Sequence, residues 1–200
     1  MNAHLPPFEF IAESKIPTHR GDMFVRAYRN HQDGTEPVAI YFHNPRGKSS
    51  LPVRVHDACF TSEVLGSQKC DCREQFNYAM DYIAKEGGLI IYLQQEGRGI
   101  GLANKIAVYA AQEDGLDTVE ANRVLDFPDD SREYKIAAFI LTELEIRSIQ
   151  LMTNNPRKVQ KLTGLDIDIQ NRLDVHIPPN KHNVGYLQTK QARMGHLLKI

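Results

Sequence analysis

Cysteine is scarce in this chain: three residues in 200, an odd number, two of them a single residue apart. That pattern argues against a disulfide framework and for a reducing compartment. An excess of positive charge is lacking too. Twenty-four Lys+Arg stand against 25 Asp+Glu, for a net charge of −1. No global basic field exists to draw the chain to nucleic acid, and only local basic clusters remain. No apolar run approaches the roughly 20 residues that a membrane-spanning helix needs. The opening M-N-A-H-L-P-P-F-E-F has neither the basic start nor the apolar stretch of a signal peptide. Internal repeats, low-complexity tracts and linkers are absent as well. These absences predict a soluble, cytoplasmic protein with neither nucleic acid nor membrane as partner. With 42% hydrophobic residues, the chain can bury a core as one domain over residues 1–200.

The pattern along the chain changes once. Phe8 to Ala12, Met23 to Tyr28, Val38 to Phe42 and Pro52 to Val55 are short and apolar or β-branched, with Gly, Pro, Asn and Asp between them. They read as strands. From Asp71 to Lys85 the period becomes helical, with Phe76, Ala79, Met80 and Ile83 on one face and Gly87-Gly88 at the end. Leu89 to Leu93 reads as a buried strand, and a glycine-rich turn leads into a helix over Ala103 to Ala111. Glu133 to Leu144 reads as helix, Ile149 to Met152 as strand, Asn155 to Leu162 as a helix stopped by Gly164, and Ile167 to Ile177 as extended. The expected fold is mixed α/β (α+β), with a β-rich part over 1–50 and alternating strands and helices over 51–200.

The three cysteines, Cys59, Cys70 and Cys72, fall within fourteen residues in a C-x10-C-x-C spacing. Thiolates suit the borderline-soft zinc ion, and three of them leave a fourth position open, as in catalytic zinc sites. Three readings stand on these residues alone: an open zinc site for hydrolysis, a structural site closed by His56 three residues upstream, and free thiols without metal. Three thiolates donate much charge and weaken the metal as a Lewis acid. An open site therefore needs help from a general base and from donors to a developing oxyanion.

The segment Gln94-Gln95-Glu96-Gly97-Arg98-Gly99-Ile100-Gly101 lies between strand and helix, where backbone N–H groups and the Arg98 fork can receive an anion. It is neither a Walker A loop nor a dinucleotide fingerprint. Arg54 and His56 precede the cysteines, Asp130 and Arg132 sit in D-F-P-D-D-S-R, and Thr153 to Lys158 opens a helix after a strand. Singly, each fits solvated surface, and Tyr109 on the helix after the glycine turn fits core. Together, basic clusters after successive strands are what a triphosphate needs.

Joined in order, R-V-H-D-A-C, G-S-Q-K-C-D-C-R-E-Q, Q-E-G-R-G-I-G-L-A-N-K-I, D-T-V-E-A-N, T-N-N-P-R-K-V and T-K-Q-A-R-M-G-H-L-L resemble the GTP cyclohydrolase II family of riboflavin synthesis, over three quarters of the chain. The resemblance implies hydrolysis of GTP to 2,5-diamino-6-ribosylamino-4(3H)-pyrimidinone 5′-phosphate, formate and pyrophosphate, the formate carbon being C8 of guanine. It implies Cys59, Cys70 and Cys72 as zinc ligands and Tyr109 beside the guanine. The matching nucleotide-binding positions are Arg54, Val55, His56, Asp57, Ala58, Gln75, Glu96, Gly97, Arg98, Thr118, Thr153 and Lys158. Magnesium with the triphosphate and a homodimer are implied as well. Asp130 and Arg132 match a pair assigned as proton acceptor and as nucleophile toward the α-phosphorus. A guanidinium stays protonated at neutral pH, so Arg132 reads more simply as a charge clamp with Asp130 orienting it. Where the family usually has R-V-H-S-E-C, this chain lacks the carboxylate at Ala58 and carries one at Asp57. The chain also leaves no room for the dihydroxybutanone-phosphate synthase domain fused to many members. The alternatives are a paralogue running part of the chemistry and a non-catalytic GTP sensor, although a sensor would be expected to have lost a cysteine or the Asp130/Arg132 pair.

Overall fold

The computed structural model describes residues 6–113, 118–128 and 130–198. Among them, seven strands form one mixed sheet in the order β1-β2-β3-β5-β4-β6-β7. Strands β1 (Phe8–Thr18), β2 (Gly21–Asn30) and β3 (Val38–Tyr41) make an antiparallel flank, joined antiparallel to β5 (Leu89–Leu93). Beyond that junction, β5, β4 (Leu51–Asp57), β6 (Ile149–Met152) and β7 (Ile169–Leu173) run parallel.

The parallel half explains the apolar runs. Leu89, Ile91 and Leu93 pack with α5 (Lys135–Glu143) and α6 (Pro156–Thr163) on one face, while Ile90 packs with Ala79, Met80 and Ile83 of α2 (Cys72–Glu86) on the other. A strand covered on both faces reads as continuous hydrophobe rather than alternation. Each such fully buried Leu or Ile contributes about 1.5–3 kcal/mol. The predicted strands at Leu89–Leu93 and Ile149–Met152 form as read.

Strand β1 runs to Thr18, well past the Ala12 expected. Nearly all of it is exposed at the edge of the sheet. No buried face constrains Glu13, Ser14 and Lys15, so their polarity carried no strand signal. Three helices were not anticipated: α1 (Phe60–Glu63), α4 (Thr118–Val124) and α7 (Val184–Met194). α7 buries only Leu187 and Met194, too sparse a stripe to stand out. The usable signal was Gly195, which takes the left-handed conformation (φ +66°) at the helix end. The remaining helix, α3, spans Leu102–Glu113.

The topology prepares a crevice. The connection from β4 leads to β5 on one side, and the chain then crosses to β6 on the other side of β4. In parallel sheets, ligands bind outside the carboxyl ends of strands at such a switch point. The segments following β4, β5 and β6 are Ala58-Cys59, Gln94 to Gly101 and Thr153 to Asn155.

Candidate active site

Above those strand ends lies a cavity of about 570 Å³. Cys59 caps the end of β4, and Cys70 and Cys72 return at the start of α2. Their three sulfurs lie within 4.8 Å of one another, with Cys59 and Cys70 Sγ 3.6 Å apart. The spacing closes because α1 folds the intervening loop back: Ser62 and Glu63 N–H both donate to the Cys59 carbonyl. Ser62 Oγ, fully buried, accepts from Arg73 N–H at 3.1 Å and ties the return to the outgoing limb.

Hydrogen bonds from the other two thiols, and then the Lys105 ammonium, outweigh burial and hold Cys59 far below the ordinary thiol range. Lys105 Nζ donates to Cys59 Sγ at 3.1 Å, to Thr61 Oγ1 at 2.8 Å and to Glu96 Oε1 at 2.7 Å. Lys105 was not picked out from the sequence, because a lysine within a helix reads as solvated surface. Soft donors, mutual proximity and a neighbouring cation that favours thiolate all fit a zinc ion. Among the described residues no fourth histidine, cysteine or carboxylate joins the group, so a metal held there keeps an open position.

His56 is not that fourth ligand. It stacks on Tyr92 and packs on Phe76. Its Nε2 lies 2.9 Å from Glu63 Oε1, and its Nδ1 faces the Arg54 guanidinium at 3.4 Å. Arg54 can only donate, which assigns the proton to Nε2. Burial pulls the imidazole pKa down, so the ring is neutral. Glu63 also accepts from Cys59 N–H and Tyr92 Oη, making it the support beneath the cysteine loop. Arg54 in turn donates to Gln75 Oε1 at 2.6 Å and to the Met152 carbonyl at 3.1 Å.

A second cluster stands at the end of β4. Asp57 Oδ2 accepts from Arg132 Nη1 at 2.7 Å and from Lys158 Nζ at 2.8 Å. Arg132 is held from its other side by Asp130, through Nε at 2.9 Å and Nη2 at 2.5 Å. Burial would raise the Asp57 pKa, but Lys158 and Arg132 overcome it and hold it at about 2. Burial would likewise lower the Arg132 pKa, but Asp130 and Asp57 more than reverse it and keep the guanidinium charged. For Lys158 burial wins, with the Arg132 and Arg54 charges adding to it, and its pKa falls to about 8 despite Asp57.

The glycine turn is a 3-10 segment over Glu96–Gly99 with Gly97 and Arg98 both left-handed, φ +61° and +62°. A Cβ at Gly99 would collide with Ser131 Oγ, which explains that glycine. Gly97 N–H already donates to Glu96 Oε1 at 3.1 Å. Arg98 pays for its strained backbone, as functional residues often do. Glu96 is fully engaged by Lys105, Gly97 N–H and Phe60 N–H.

Of the residues expected at the site, fifteen line this one cavity: Arg54, His56, Asp57, Ala58, Cys59, Cys70, Cys72, Gln75, Glu96, Gly97, Arg98, Tyr109, Arg132, Thr153 and Lys158. Val55 lies in the core, and its carbonyl accepts from Lys158 Nζ at 2.7 Å. Asp130 stands behind Arg132. Thr118 begins α4, and its side chain lies outside the described residues. Beyond the expected set, the wall includes Lys69, Lys105, His182, Tyr186, Lys190 and His196. Lys69 Nζ sits 4.7 Å from the centre of the Tyr109 ring. Burial pushes the Tyr109 phenol up to about 12. Seven Lys or Arg line the cavity against two Asp or Glu, in a chain whose net charge is −1. The cations are concentrated where a polyanion would enter.

The GTP cyclohydrolase II family model matches residues 9–174. The GTP cyclohydrolase-2 of Picrophilus torridus is 44% identical over 190 residues, covering 94% of this chain and 98% of that protein. The riboflavin biosynthesis protein RibBA of Chlamydia muridarum is 47% identical over 194 residues, and RibBA of Bacillus subtilis 47% over 185. Those alignments cover 96% and 92% of this chain but 46% of each RibBA protein, so the chain spans about half their length. A thiol triad and a cationic wall sharing one crevice are thus carried by a sequence matched almost end to end by a GTP cyclohydrolase-2, and the chain belongs to the GTP cyclohydrolase II family.

Proposed function

We propose that this chain hydrolyses GTP to 2,5-diamino-6-ribosylamino-4(3H)-pyrimidinone 5′-phosphate, formate and pyrophosphate, with residues 51–200 carrying the zinc and nucleotide sites. One observation carries the reading: the cysteine triad and seven basic side chains line the same 570 Å³ cavity. Three hydrolyses balance the reaction. One water opens the C8–N9 bond, a second releases C8 from N7 as formate, and a third splits the α–β phosphoanhydride.

Cys59, Cys70 and Cys72 would hold zinc, which when bound supplies Lewis acidity and lowers the pKa of water. Lys105, hydrogen-bonded to Cys59 Sγ, offsets part of the charge the thiolates donate. Glu96 fixes Lys105 there and is not a free base. Tyr109 keeps its proton at neutral pH and serves the purine end as a donor from Oη. The Arg54, Gln75 and His56 chain holds the floor of the pocket rigid.

At the phosphate end, three of the five Arg132 N–H donors are taken by Asp57 and Asp130. Two remain for phosphoryl oxygens. Lys158 spends two of its three protons on Val55 O and Asp57 and keeps one. Arg132 so gripped acts as a charge clamp on the α-phosphoryl group, with Asp130 orienting it. Thr153 borders the same end, and we assign Thr118 to the nucleotide site on the family match alone. Asp57 Oδ1, buried without a hydrogen-bond partner, is a hard oxygen suited to magnesium arriving with the triphosphate.

A homodimer is proposed as well. It is supported by edge strand β1, which exposes Phe10, Ile11 and Ile16. Three unpaired cysteines in a metal-competent cluster support a reducing, cytoplasmic location. No helix among the described residues is long and apolar enough to cross a membrane.

The decisive assay incubates zinc-loaded protein with GTP and magnesium and measures formate and pyrophosphate separately. Both products in equal amounts are expected. Pyrophosphate alone would mark a partial-reaction paralogue, and neither product would mark a GTP sensor.

A further inference from the structure

The family model's match ends at residue 174, and the chain beyond it returns to the cavity. α7 docks through Leu187 and Met194, and the following turn is stitched to the β6–α6 loop by Leu197 N–H donating to the Asn154 carbonyl at 2.9 Å. Asn183, 1% exposed, accepts from Asn180 N–H at 2.8 Å and sets the angle at which the helix enters. Docked this way, α7 turns Tyr186 and Lys190 into the cavity and brings His196 after them.

These groups are incompletely satisfied. The Lys190 side chain is 12% exposed, and the nearest carboxylate oxygen, Asp71 Oδ1, is 3.7 Å from Nζ. That is too far for a hydrogen bond, and Asp71 Oδ1 has no other partner. Lys190 Nζ rests 4.3 Å from the centre of the Tyr186 ring. On the same ring, at 5.9 Å, lies the Arg98 guanidinium, whose Nη1 is buried with no partner at all. Two cations thus share one aromatic platform and line the same cavity with unspent donors. Buried donors left unpaired cost about 1–3 kcal/mol each, more when charged. His196 reports the same convergence: burial first, then the Lys190, Arg132 and Arg98 charges, drive its pKa down to about 3. Two cations with spare donors on one aromatic face suit an anionic oxygen as ligand.

We infer that Lys190 of the C-terminal helix and Arg98 of the glycine turn form an anion subsite that binds a phosphate of the nucleotide, with α7 as a wall of the substrate pocket. Arg98 already belongs to the expected site; Lys190, Tyr186 and the helix do not. The inference rests on the reading that the cavity takes a nucleoside triphosphate.

The test uses the full-length, zinc-loaded protein, with inorganic tripolyphosphate and a non-hydrolysable GTP analogue as calorimetric probes. Lys190→Met should weaken tripolyphosphate by about tenfold or more with zinc content unchanged, and Lys190→Arg should restore most of the affinity. Asp71→Asn, which removes the distant ion pair but keeps the cation, should bind as wild type. In the unmutated protein, tripolyphosphate should slow amide exchange over residues 184–194. Unchanged affinity in Lys190→Met, an equal loss in Asp71→Asn, or no change in exchange over α7 would each overturn the subsite and leave the GTP reading standing. If the unmutated protein binds neither probe, the GTP reading falls and the subsite with it. Should Lys190→Met fail to fold, the exchange experiment on the unmutated protein decides alone.

Discussion

Two buried charge clusters lie on this sheet, and they are finished to different degrees. On the antiparallel flank, Arg26 donates to Glu13 Oε2 at 2.7 Å, to both oxygens of Glu143 at 2.9 and 3.0 Å, and to Tyr28 Oη at 3.0 Å. Tyr28 Oη donates to Glu143, Tyr41 Oη to Glu13, and Arg46 closes the group on Glu143 and Glu145. Three carboxylates face two guanidiniums, and no buried polar atom of the group lacks a partner. In the cavity, cations outnumber carboxylates. Among the described residues four buried side-chain polar atoms have no hydrogen-bond partner, and Asp57 Oδ1, Asp71 Oδ1 and Arg98 Nη1, in or beside the cavity, are three of them. A cluster that only holds the fold can complete its own bonds. The cavity cluster instead leaves acceptors unspent at Asp57 and Asp71 and a donor unspent at Arg98, and folding bears that cost until a ligand arrives.

The sharpest way to break the comparison is at the metal end. Cys70→Ser should bring zinc content well below one per chain and abolish formate release while the fold persists, as metal analysis and a formate assay would show. Retained zinc and retained formate would refute the triad. The next largest effect belongs to the flank. Arg26→Met strands Glu13 and Glu143, which keep 31% and 25% of their side-chain surface exposed. It should cost about 3 kcal/mol of unfolding free energy, the low end for a broken buried pair, with GTP-analogue affinity unchanged. A loss of affinity as large as the loss of stability would mean that the two clusters are not independent.

Arg132→Met should lower the rate of pyrophosphate release about 100-fold, the scale of one removed transition-state donor, and, because it strands Asp57 and Asp130, whose side chains are 10% and 8% exposed, it should also cost about 3 kcal/mol or more of unfolding free energy. Mass spectrometry of the unmutated enzyme during turnover should find no arginine carrying a nucleoside monophosphate; such a phosphoramidate at Arg132 would replace the clamp by covalent catalysis. The smallest effect is on pH. Burial lowers Lys158 to about 8, so in the free enzyme its phosphate-binding charge is present below that pH and lost above it. kcat/KM for GTP should therefore fall as pH rises through about 8, and Lys158→Arg, charged throughout, should remove that limb. A limb that survives in Lys158→Arg belongs to another group. The same shift acts oppositely on stability. Charged Lys158 costs the fold below pH about 8, and the cost is relieved as pH climbs toward the unfolded value of about 10.4.

What the sequence determined by itself rested on rarity and period. Three cysteines in fourteen residues singled out a cluster that could hold a metal, because thiols are few and their chemistry is specific, and their sulfurs do lie within 4.8 Å of one another. The strands at Leu89–Leu93 and Ile149–Met152 were legible because burial on both faces leaves an unbroken apolar run. Fifteen expected site residues do line one cavity, but the family resemblance, not spacing, collected most of them.

Tertiary structure decided the rest, because neighbours in space settle what a polar side chain is for. His56, three residues from Cys59, could have closed the zinc site; Glu63 and Arg54 instead occupy both its nitrogens. Lys105 and Lys190 are lysines on helices, indistinguishable in sequence from solvated ones such as Lys85. Packing carries the first onto the Cys59 sulfur and the second beside Arg98. The order of strands, which crosses from β5 over β4 to β6, opens the crevice, and no local propensity encodes that crossing. A charge reads as surface until the fold removes the water around it.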